Sequence, residues 1–456
     1  MLPLRPRGRA DICRAHSPDP APPVPQAATT TRAAQLTIWR GFVRNSLGTG
    51  VAVVARAAGA LLLNKLFATY APAGGLTLLA QFQNLMALFT TLPNDGVHVG
   101  VVKYLAPLRP GSPRYRLWLG AAAGLNAAAL LVGTIVLAVQ GLLGWGWASL
   151  GAFVLGIALL TAQGLLGAAL LAAGRLRAYI MLSVALAALG AGAASITLLR
   201  GYSLELVLLA YLLAQGATVL PALALAARAG VLQHLRWPAP ISRVAVRGLS
   251  QFLLMAVSTL VFGKAVEYVL RDHLMATYGA ARTDLWQVVA KLSDNYTMVF
   301  AAVMSSVFYP RLAALGAQPR AARTYLQSVL LLLAPVLALG LGVVFACRSW
   351  LLPLLFAPHL ARAGELLGPQ LVGDWAKFLS WLFIFQLVAK ARTGAYVAVQ
   401  AASAAGFAVL LVLLLPRYGL PGAVLAHAAR YGLVLAACLG FYWRAKGASM
   451  RHENAA

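Results

Sequence analysis

The chain has 456 residues, of which 61% are hydrophobic and 11% are charged. A soluble protein is roughly half apolar and about a quarter charged, so this composition excludes a soluble globular protein and indicates one that lies in a bilayer. The net charge of +26 does not indicate nucleic-acid binding, because the Lys and Arg residues are dispersed in short clusters between apolar runs. Cys13, Cys347 and Cys438 are isolated and have no Cys/His spacing, so the sequence predicts neither a disulfide framework nor a metal site.

The first predicted element is a basic, proline-rich tail over residues 1–40. It contains no apolar segment suited to a signal peptide, and we interpret it as a disordered cytoplasmic tail. An organelle transit peptide and a misassigned start codon are the alternatives, since Arg is frequent and acidic residues are scarce in this segment.

After the tail, the sequence contains twelve apolar spans of about 20 or more residues, each long enough to cross about 30 Å of hydrocarbon as a helix. Their predicted limits are 45–70, 76–104, 116–140, 147–173, 177–199, 203–228, 248–275, 284–312, 324–347, 370–391, 394–415 and 420–443. The break between the tenth and eleventh spans consists only of the segment 390–394. We therefore predict an all-α integral membrane protein with about twelve transmembrane helices.

Basic residues mark the connections that follow the even-numbered spans, such as Arg109, Arg175 and Arg228. The connections after the odd-numbered spans have few cations or balance them with acidic residues. Because short cytoplasmic loops collect Lys and Arg, both termini are predicted to be cytoplasmic.

An internal repeat relates the segment Val53–Tyr70 to the segment Val261–Tyr278 at a constant offset of 208 residues. The offset aligns Val53, Ala57, Leu62, Leu66 and Ala68-Thr69-Tyr70 with identical residues, and it places Arg56 on Lys264. Each half then has six spans in the same orientation, which predicts two six-helix lobes related by a pseudo-twofold axis along the membrane normal, around a central cavity. The predicted boundaries are an N-lobe over 41–228, a cytoplasmic linker over 229–247, a C-lobe over 248–443 and a cytoplasmic tail over 444–456.

The sequence contains none of the motifs His-Glu-x-x-His, Gly-x-Ser-x-Gly, Walker A or Cys-x-x-Cys, and it has no paired carboxylates outside the apolar spans. These motifs carry metal-dependent, nucleophilic, nucleotide-dependent and redox chemistry. The sequence therefore favours a protein that is not an enzyme and that needs no cofactor.

Ionisable residues at membrane depth cost at least about 2.5 kcal/mol each at the bilayer centre, unless they face a cavity or a partner. We interpret Arg56, Lys264 and Lys291 as a cationic cavity surface that binds an anionic head group. The alternative is structural pairing, of Lys264 with Glu267 and of Lys291 with Asp294, each at a spacing of i and i+3.

Three carboxylates, Glu267, Asp294 and Asp374, are candidates for coupling transport to H⁺ or Na⁺. As an alternative, they are counter-ions of the neighbouring Lys residues. His427 and Arg430 lie one turn apart in the last span, and they form either part of the cavity or a packed polar pair.

Lys103 and Arg311 are related by the repeat and close the second and eighth spans. They are candidate gate or access contacts, with snorkelling to lipid phosphate as the alternative. The segment Pro93-Asn94-Asp95-Gly96 disfavours an uninterrupted helix in the second span. Aromatic rings next to hydrogen-bond donors suit sugars, and the candidate glycan contacts are Tyr268, Trp286 and Tyr296. Packing in the core or against lipid is the alternative for these rings.

Three segments resemble a known family, the O-antigen translocases and enterobacterial common antigen lipid III flippases of the multidrug/oligosaccharidyl-lipid/polysaccharide exporter superfamily. They are the stretch from Ala68 to Ala106, the motif Tyr309-Pro-Arg-Leu312, and the stretch from Gln370 to Tyr396. The three segments occur in the family's order on twelve spans, and the resemblance covers residues 40–445. The Arg/Pro-rich tail before Thr37 departs from the family pattern.

The resemblance implies an inner-membrane protein that flips an undecaprenyl-pyrophosphate-linked oligosaccharide from the cytoplasmic to the periplasmic leaflet by alternating access. It implies membrane lipids and a glycan polymerase as partners, and no nucleic acid. Lipid II flippases of the same superfamily usually have two further spans, which this sequence lacks. A cation-coupled multidrug exporter of the superfamily is the main alternative, and a channel or assembly scaffold without transport is the third.

Overall fold

A computed structural model describes residues 54, 56–140, 146–232, 242–315, 318–389 and 392–453. Helices dominate these residues, and no strand occurs among them. The predicted tail over residues 1–40 lies outside the described residues, as does the middle of the predicted linker, residues 233–241. The all-α prediction is confirmed.

The described residues contain one long helix for each of the twelve predicted spans. In chain order they are α1 (56–70), α2 (Gly75–Thr91 and Val99–Leu105, joined by the π-helical turn Leu92–His98), α3 (Pro113–Gln140), α4 (Trp147–Ala172), α5 (Leu176–Leu199), α6 (Leu204–Gly216 and Val219–Arg228), α7 (Arg243–Thr259 and Val266–Tyr278, joined by the π-helical turn Leu260–Ala265), α8 (Ala280–Val303 and Tyr309–Ala314, joined by the π-helical turn Met304–Phe308), α9 (Pro319–Ala346), α10 (Gly364–Ala389), α11 (Thr393–Tyr418) and α12 (Pro421–Glu453). Eight of the helices in the described residues are long and apolar enough to cross a membrane.

Several boundaries differ from the sequence prediction. Helix α10 begins at Gly364 and contains Pro369 in its second turn, so the tenth span begins earlier than the predicted residue 370. Helix α12 continues to Glu453, through most of the predicted C-terminal tail. A short helix, Arg348–Leu355, and a 3-10 turn, Pro358–Ala363, lie between α9 and α10, where the sequence suggested only a connection.

Helices within each lobe pack closely, and one cluster of buried apolar residues continues from one lobe into the other. In the N-lobe, α4 packs against α6 through the fully buried Phe153, Ile157 and Leu212. In the C-lobe, α10 and α12 approach so closely that a Cβ atom on Gly373 would lie 2.9 Å from the Cα atom of Ala428. Such close contact between helix backbones is the usual role of small residues in membrane proteins, where apolar burial alone does not favour association.

The repeat is visible in the helices themselves. Helices α1 and α7 end at Tyr70 and Tyr278, two residues that the offset aligns. Gln83 of α2 and Lys291 of α8 are also related by the offset, and they hydrogen-bond to each other although they are 208 residues apart. Equivalent residues meet in this way where a two-fold axis passes between them, so the pseudo-twofold axis lies between α2 and α8.

The two lobes contact each other at both ends of the molecule. At the predicted periplasmic end, the Lys65 ammonium of α1 donates a hydrogen bond to the carbonyl of Pro353, 2.8 Å away in the short helix of the C-lobe. At the predicted cytoplasmic end, α7 packs against α2, and the side chain of Leu249 occupies the space beside Gly100 of α2, where a Cβ atom would otherwise lie. A polar surface that we call the interlobe network lies between these two contacts.

Candidate functional site

The interlobe network is formed by polar residues of three otherwise apolar helices. Its members are Gln81, Gln83 and Asn84 of α2, Lys264, Glu267, Tyr268 and Arg271 of α7, and Gln287, Lys291 and Asp294 of α8. On α7 the polar residues recur at helical spacing, so they share one face. That face lies against α2 and α8.

Arg271 joins the three helices. It is buried, with 5% of its surface exposed. Its Nε atom donates to the Gln287 side chain at 2.8 Å, and its Nη1 atom donates to the Gln81 side chain at 3.2 Å. The guanidinium also lies over the Trp286 ring, 5.9 Å from its centroid. Because a buried charge needs such partners, the amide oxygens of α2 and α8 hold α7 in place.

Lys264 and Glu267 face a more open part of the network. Their side chains form an ion pair at 3.1 Å and are 37% and 52% exposed. The pairing that the sequence suggested as the structural alternative is therefore present. A pair with this exposure contributes little to stability, so Lys264 remains free to exchange Glu267 for another anion.

Lys291 lies on the α8 side of the network. Its ammonium donates to the Gln83 side chain, and Gln83 in turn donates to the Tyr211 hydroxyl at 3.3 Å. Asp294, one turn from Lys291 on α8, is exposed. The surface thus carries charges of both signs, and the candidate carboxylates Glu267 and Asp294 lie on it together with the candidate cations Lys264 and Lys291.

Arg56 occupies a different cavity, inside the N-lobe. This cavity has a volume of about 580 Å³ and is lined by α1, α2, α4, α5 and Gln215 of α6. Arg56 donates there to the Ser183 hydroxyl at 3.2 Å and to the Tyr179 hydroxyl at 3.4 Å. The structure therefore does not place Arg56 beside Lys264 in one pocket, although the repeat relates the two residues.

Asp95 lies in the π-helical turn of α2 and lines the N-lobe cavity. The predicted interruption of α2 at Pro93–Gly96 is thus a π-helical turn within a continuous helix. Such turns are frequent at functional sites, and this one exposes Asn94 and Asp95.

Asp374 is the centre of a separate cluster inside the C-lobe. Its carboxylate is fully buried and accepts hydrogen bonds from Ser293 at 2.8 Å, from His427 at 3.0 Å, from Gln370 at 3.2 Å and from the Tyr296 hydroxyl. The sequence indicated Asp374 and His427 separately, but it did not show that they meet.

The neighbouring basic residues of the C-lobe have other partners. Lys377, one turn beyond Asp374, donates to the Thr297 hydroxyl at 3.1 Å. Arg430 donates to the Ser403 hydroxyl at 2.7 Å. His427 and Arg430 thus bind different groups and do not form a pair with each other.

The three candidate glycan contacts have different surroundings. Trp286 is 8% exposed and packs beneath Arg271, and the Tyr296 hydroxyl binds Asp374. Tyr268 is half-buried and lies one residue from the exposed Glu267. Of the three, Tyr268 is best placed to contact a molecule in the interlobe network.

The two candidate gate residues also differ in their contacts. The Lys103 ammonium lies 5.3 Å from the ring centroid of Phe252 in the opposite lobe. The Arg311 guanidinium lies 5.4 Å from the ring centroid of Tyr325 in its own lobe. At the predicted cytoplasmic end, therefore, Lys103 bridges the lobes and Arg311 does not.

A contact that the sequence did not predict closes the predicted periplasmic end. The buried Asp284 of α8 accepts hydrogen bonds from the backbone N–H groups of Gly74 and Thr77, at 2.7 and 2.8 Å, and from the Thr77 hydroxyl at 2.6 Å. These donors belong to the first turn of α2, where unpaired N–H groups favour an anion. A carboxylate of one lobe thus caps a helix of the other.

Together these features define a multi-pass membrane transporter, with two six-helix lobes and a charged, water-accessible surface between them. No family model matches the chain. The lipid III flippase of Escherichia coli (strain K12) is 28% identical over 416 residues, which are 88% of this chain and 99% of that protein. The lipid III flippase of Shigella flexneri gives the same values. The resemblance to this flippase family, inferred from the sequence motifs, is confirmed.

Solved structures show the same fold at low sequence identity. A mutant of the Vibrio cholerae MATE transporter VcmN is 14% identical and has a TM-score of 0.63, with 91% of this chain and 98% of that chain covered. The lipid II flippase MurJ, in an inward closed conformation, is 10% identical and has a TM-score of 0.61, with 87% of each chain covered. The predicted fold class, an all-α membrane protein with two six-helix lobes, is confirmed.

Proposed function

We propose that the protein is a flippase that moves an undecaprenyl-pyrophosphate-linked oligosaccharide, an O-antigen or common-antigen repeat unit, from the cytoplasmic to the periplasmic leaflet. The observation that carries the proposal is the similarity to lipid III flippases over 88% of the chain. The exposed charges between the lobes support it, because a polar glycan and its pyrophosphate need a wet path across the membrane. The reaction is transport without catalysis.

In this proposal, Lys264 and Lys291 receive the pyrophosphate in the interlobe network. Without cargo, Lys264 forms its ion pair with Glu267. When cargo binds, a phosphate oxygen replaces the Glu267 carboxylate as the partner of Lys264, because hydrogen bonds between charged groups are stronger than those between neutral groups. Arg56 acts from the N-lobe cavity, whose amide and hydroxyl groups suit the sugar hydroxyls. The polyprenyl chain stays in the lipid between helices.

Alternating access then requires that the two interlobe contacts open in turn. The predicted periplasmic end opens when Asp284 leaves the first turn of α2. The opposite end opens when α7 moves away from Gly100. We place the protein in the bacterial inner membrane with both termini in the cytoplasm, in agreement with the basic connections after the even-numbered spans. We propose a glycan polymerase as a partner, which receives the cargo after it reaches the periplasmic leaflet.

For energy coupling to H⁺ or Na⁺, we favour the Asp374 cluster over Glu267 and Asp294. Glu267 and Asp294 are exposed among the cargo-binding cations, whereas Asp374 is buried away from them and binds the titratable His427. Flipping in proteoliposomes that is indifferent to both pH and Na⁺ gradients would rule coupling out.

The test of the function is complementation of a flippase-deficient strain. We expect the wild-type chain to restore surface glycan, and we expect an Arg56→Ala plus Lys264→Ala double variant, expressed and folded, to lose most of that activity. An Arg348→Ala plus Arg362→Ala variant, which removes two cations outside the candidate site, is the control. Normal glycan with the first variant would contradict the proposed roles of Arg56 and Lys264 in binding the cargo.

A cation-coupled multidrug exporter is the second candidate, since the VcmN structure shares the fold. Drug efflux from vesicles, with no effect on glycan, would favour it. A channel or scaffold would show no switching between inward-open and outward-open states.

A further inference from the structure

A second cavity lies within the C-lobe at the predicted cytoplasmic end. It has a volume of about 590 Å³ and is bounded by α9, α10, α11 and α12. Arg320, Arg323 and Arg392 line it together with apolar side chains such as Phe383 and Val399. None of the residues that line this cavity belongs to the interlobe network or to the Asp374 cluster.

The cavity lies at the boundary of the apolar spans. The spans Arg320–Ala346 and Thr393–Tyr418 begin there, and the span Pro421–Trp443 ends there. Arg392 directly precedes the second of these spans. Phe441, at the end of the third, lines the cavity and is 74% exposed. The arginines thus lie at the level of lipid phosphates, and the apolar part of the cavity opens towards the lipid chains.

The described residues that line the cavity include three arginines and no Asp or Glu. Arg323 lies over the Tyr442 ring, 5.7 Å from its centroid, so it is held beside the cavity through an aromatic contact. Guanidinium groups bind phosphate in a bidentate manner, so Arg323 and Arg392 suit a phosphate ligand.

We propose that this cavity binds a lipid phosphate, with the phosphate on the arginines and one hydrocarbon chain in the apolar part. The ligand is an anionic phospholipid of the surrounding leaflet, because the cavity lies where three membrane spans begin or end, has the exposed Phe441 in its wall and shares no lining residue with the interlobe network. An inorganic phosphate would satisfy the arginines, but it would leave the apolar walls without a partner. The bound lipid would connect the start of α9, the start of α11 and the end of the third span, in α12.

The proposal is tested with purified, delipidated full-length protein. Phosphatidylglycerol, phosphatidylcholine, undecaprenyl phosphate and inorganic phosphate are added separately, and binding is measured by native mass spectrometry and by the shift in Tm. We expect phosphatidylglycerol to bind most tightly. A basic residue near an anionic lipid surface contributes roughly a fivefold change in affinity, so Arg323→Gln plus Arg392→Gln should weaken binding about 25-fold. An Arg228→Gln plus Arg243→Gln variant, at the same end of the molecule, is the matched control.

A second variant tests the contribution of the lipid's hydrocarbon chain separately from that of its head group. Ala398→Trp fills the apolar part and keeps the arginines, so it should weaken phosphatidylglycerol binding in a folded protein. Equal affinity for phosphatidylcholine, or equal affinity of the arginine variant and its control, would overturn the proposal. Tighter binding of undecaprenyl phosphate would overturn the choice of a bulk phospholipid and assign the cavity to the carrier lipid. Failure of any of these tests leaves the proposed flippase activity untouched, because the cargo-binding residues are unchanged.

Discussion

The Asp284 cap provides the sharpest test of how the lobes are held together. Asp284→Ala removes an acceptor of three hydrogen bonds that join α8 to α2. A hydrogen bond to a charged group contributes about 1.5–3 kcal/mol, and water replaces part of that once the contact opens. We therefore expect a net loss of about 3 kcal/mol from the closed state of the predicted periplasmic end. This corresponds to a change on the order of a hundredfold in the ratio of closed to open molecules.

The assay is the distance between two spin labels at this end of the molecule, one on each lobe. Trp147 and Trp350 are suitable positions because they are 82% and 66% exposed, and both are replaced by Cys in a chain from which the native cysteines are removed. The Ala variant should populate a longer distance that the parent chain populates weakly. Asp284→Asn keeps one acceptor oxygen and should produce a smaller shift.

Glu365→Ala is the control, since Glu365 is an exposed acidic residue at the same end of the C-lobe. It should leave the distance unchanged. If folded Asp284→Ala gives the parental distance distribution, the cap does not hold the lobes closed, and the reasoning from its three hydrogen bonds is refuted.

Three further predictions concern other contacts. Gly100→Leu should open the predicted cytoplasmic end, because even a Cβ atom at Gly100 would lie 2.6 Å from the Leu249 side chain. The distance between two spin labels at that end, one on each lobe, should increase, and an unchanged distance would contradict this prediction. Arg271→Met should lower Tm in detergent by several degrees, since it removes the donor that the buried Gln287 and the partly buried Gln81 share, and an unchanged Tm would show that the network contributes nothing. Asp374→Asn should preserve folding but abolish the dependence of flipping on an ion gradient, because it removes the charge that binds His427; a dependence that persists would exclude Asp374 as the coupling group.

The helices of this protein follow from local sequence signals. Span length and apolar content require no knowledge of distant contacts, and the offset between Tyr70 and Tyr278 appears in the sequence as well as in the helix ends. The face of α7 that carries Lys264 and Arg271 is predicted in the same way, by helical spacing.

The partners of those residues are not local, and the sequence did not predict them. Gln81 and Gln83 carry no charge, so they do not stand out in an apolar span, yet each binds a cation of the opposite lobe. Asp284 binds backbone N–H groups, which no sequence pattern marks. Arg56 and Lys264 occupy equivalent positions in the repeat, but the residues around them differ. The two side chains therefore lie in different parts of the molecule.

The meeting of Gln83 with Lys291 at the pseudo-twofold axis depends on a difference between the two halves. In an ancestor made of two identical halves, each residue at the axis would face its own copy. Two lysines there would repel each other, whereas a glutamine and a lysine form a hydrogen bond. A chain built from two copies of the C-terminal half would therefore place like charges in contact, whereas two glutamines would meet there without repulsion. The difference between the halves at the axis thus lets a cation of one lobe lie against the other lobe in a hydrogen bond.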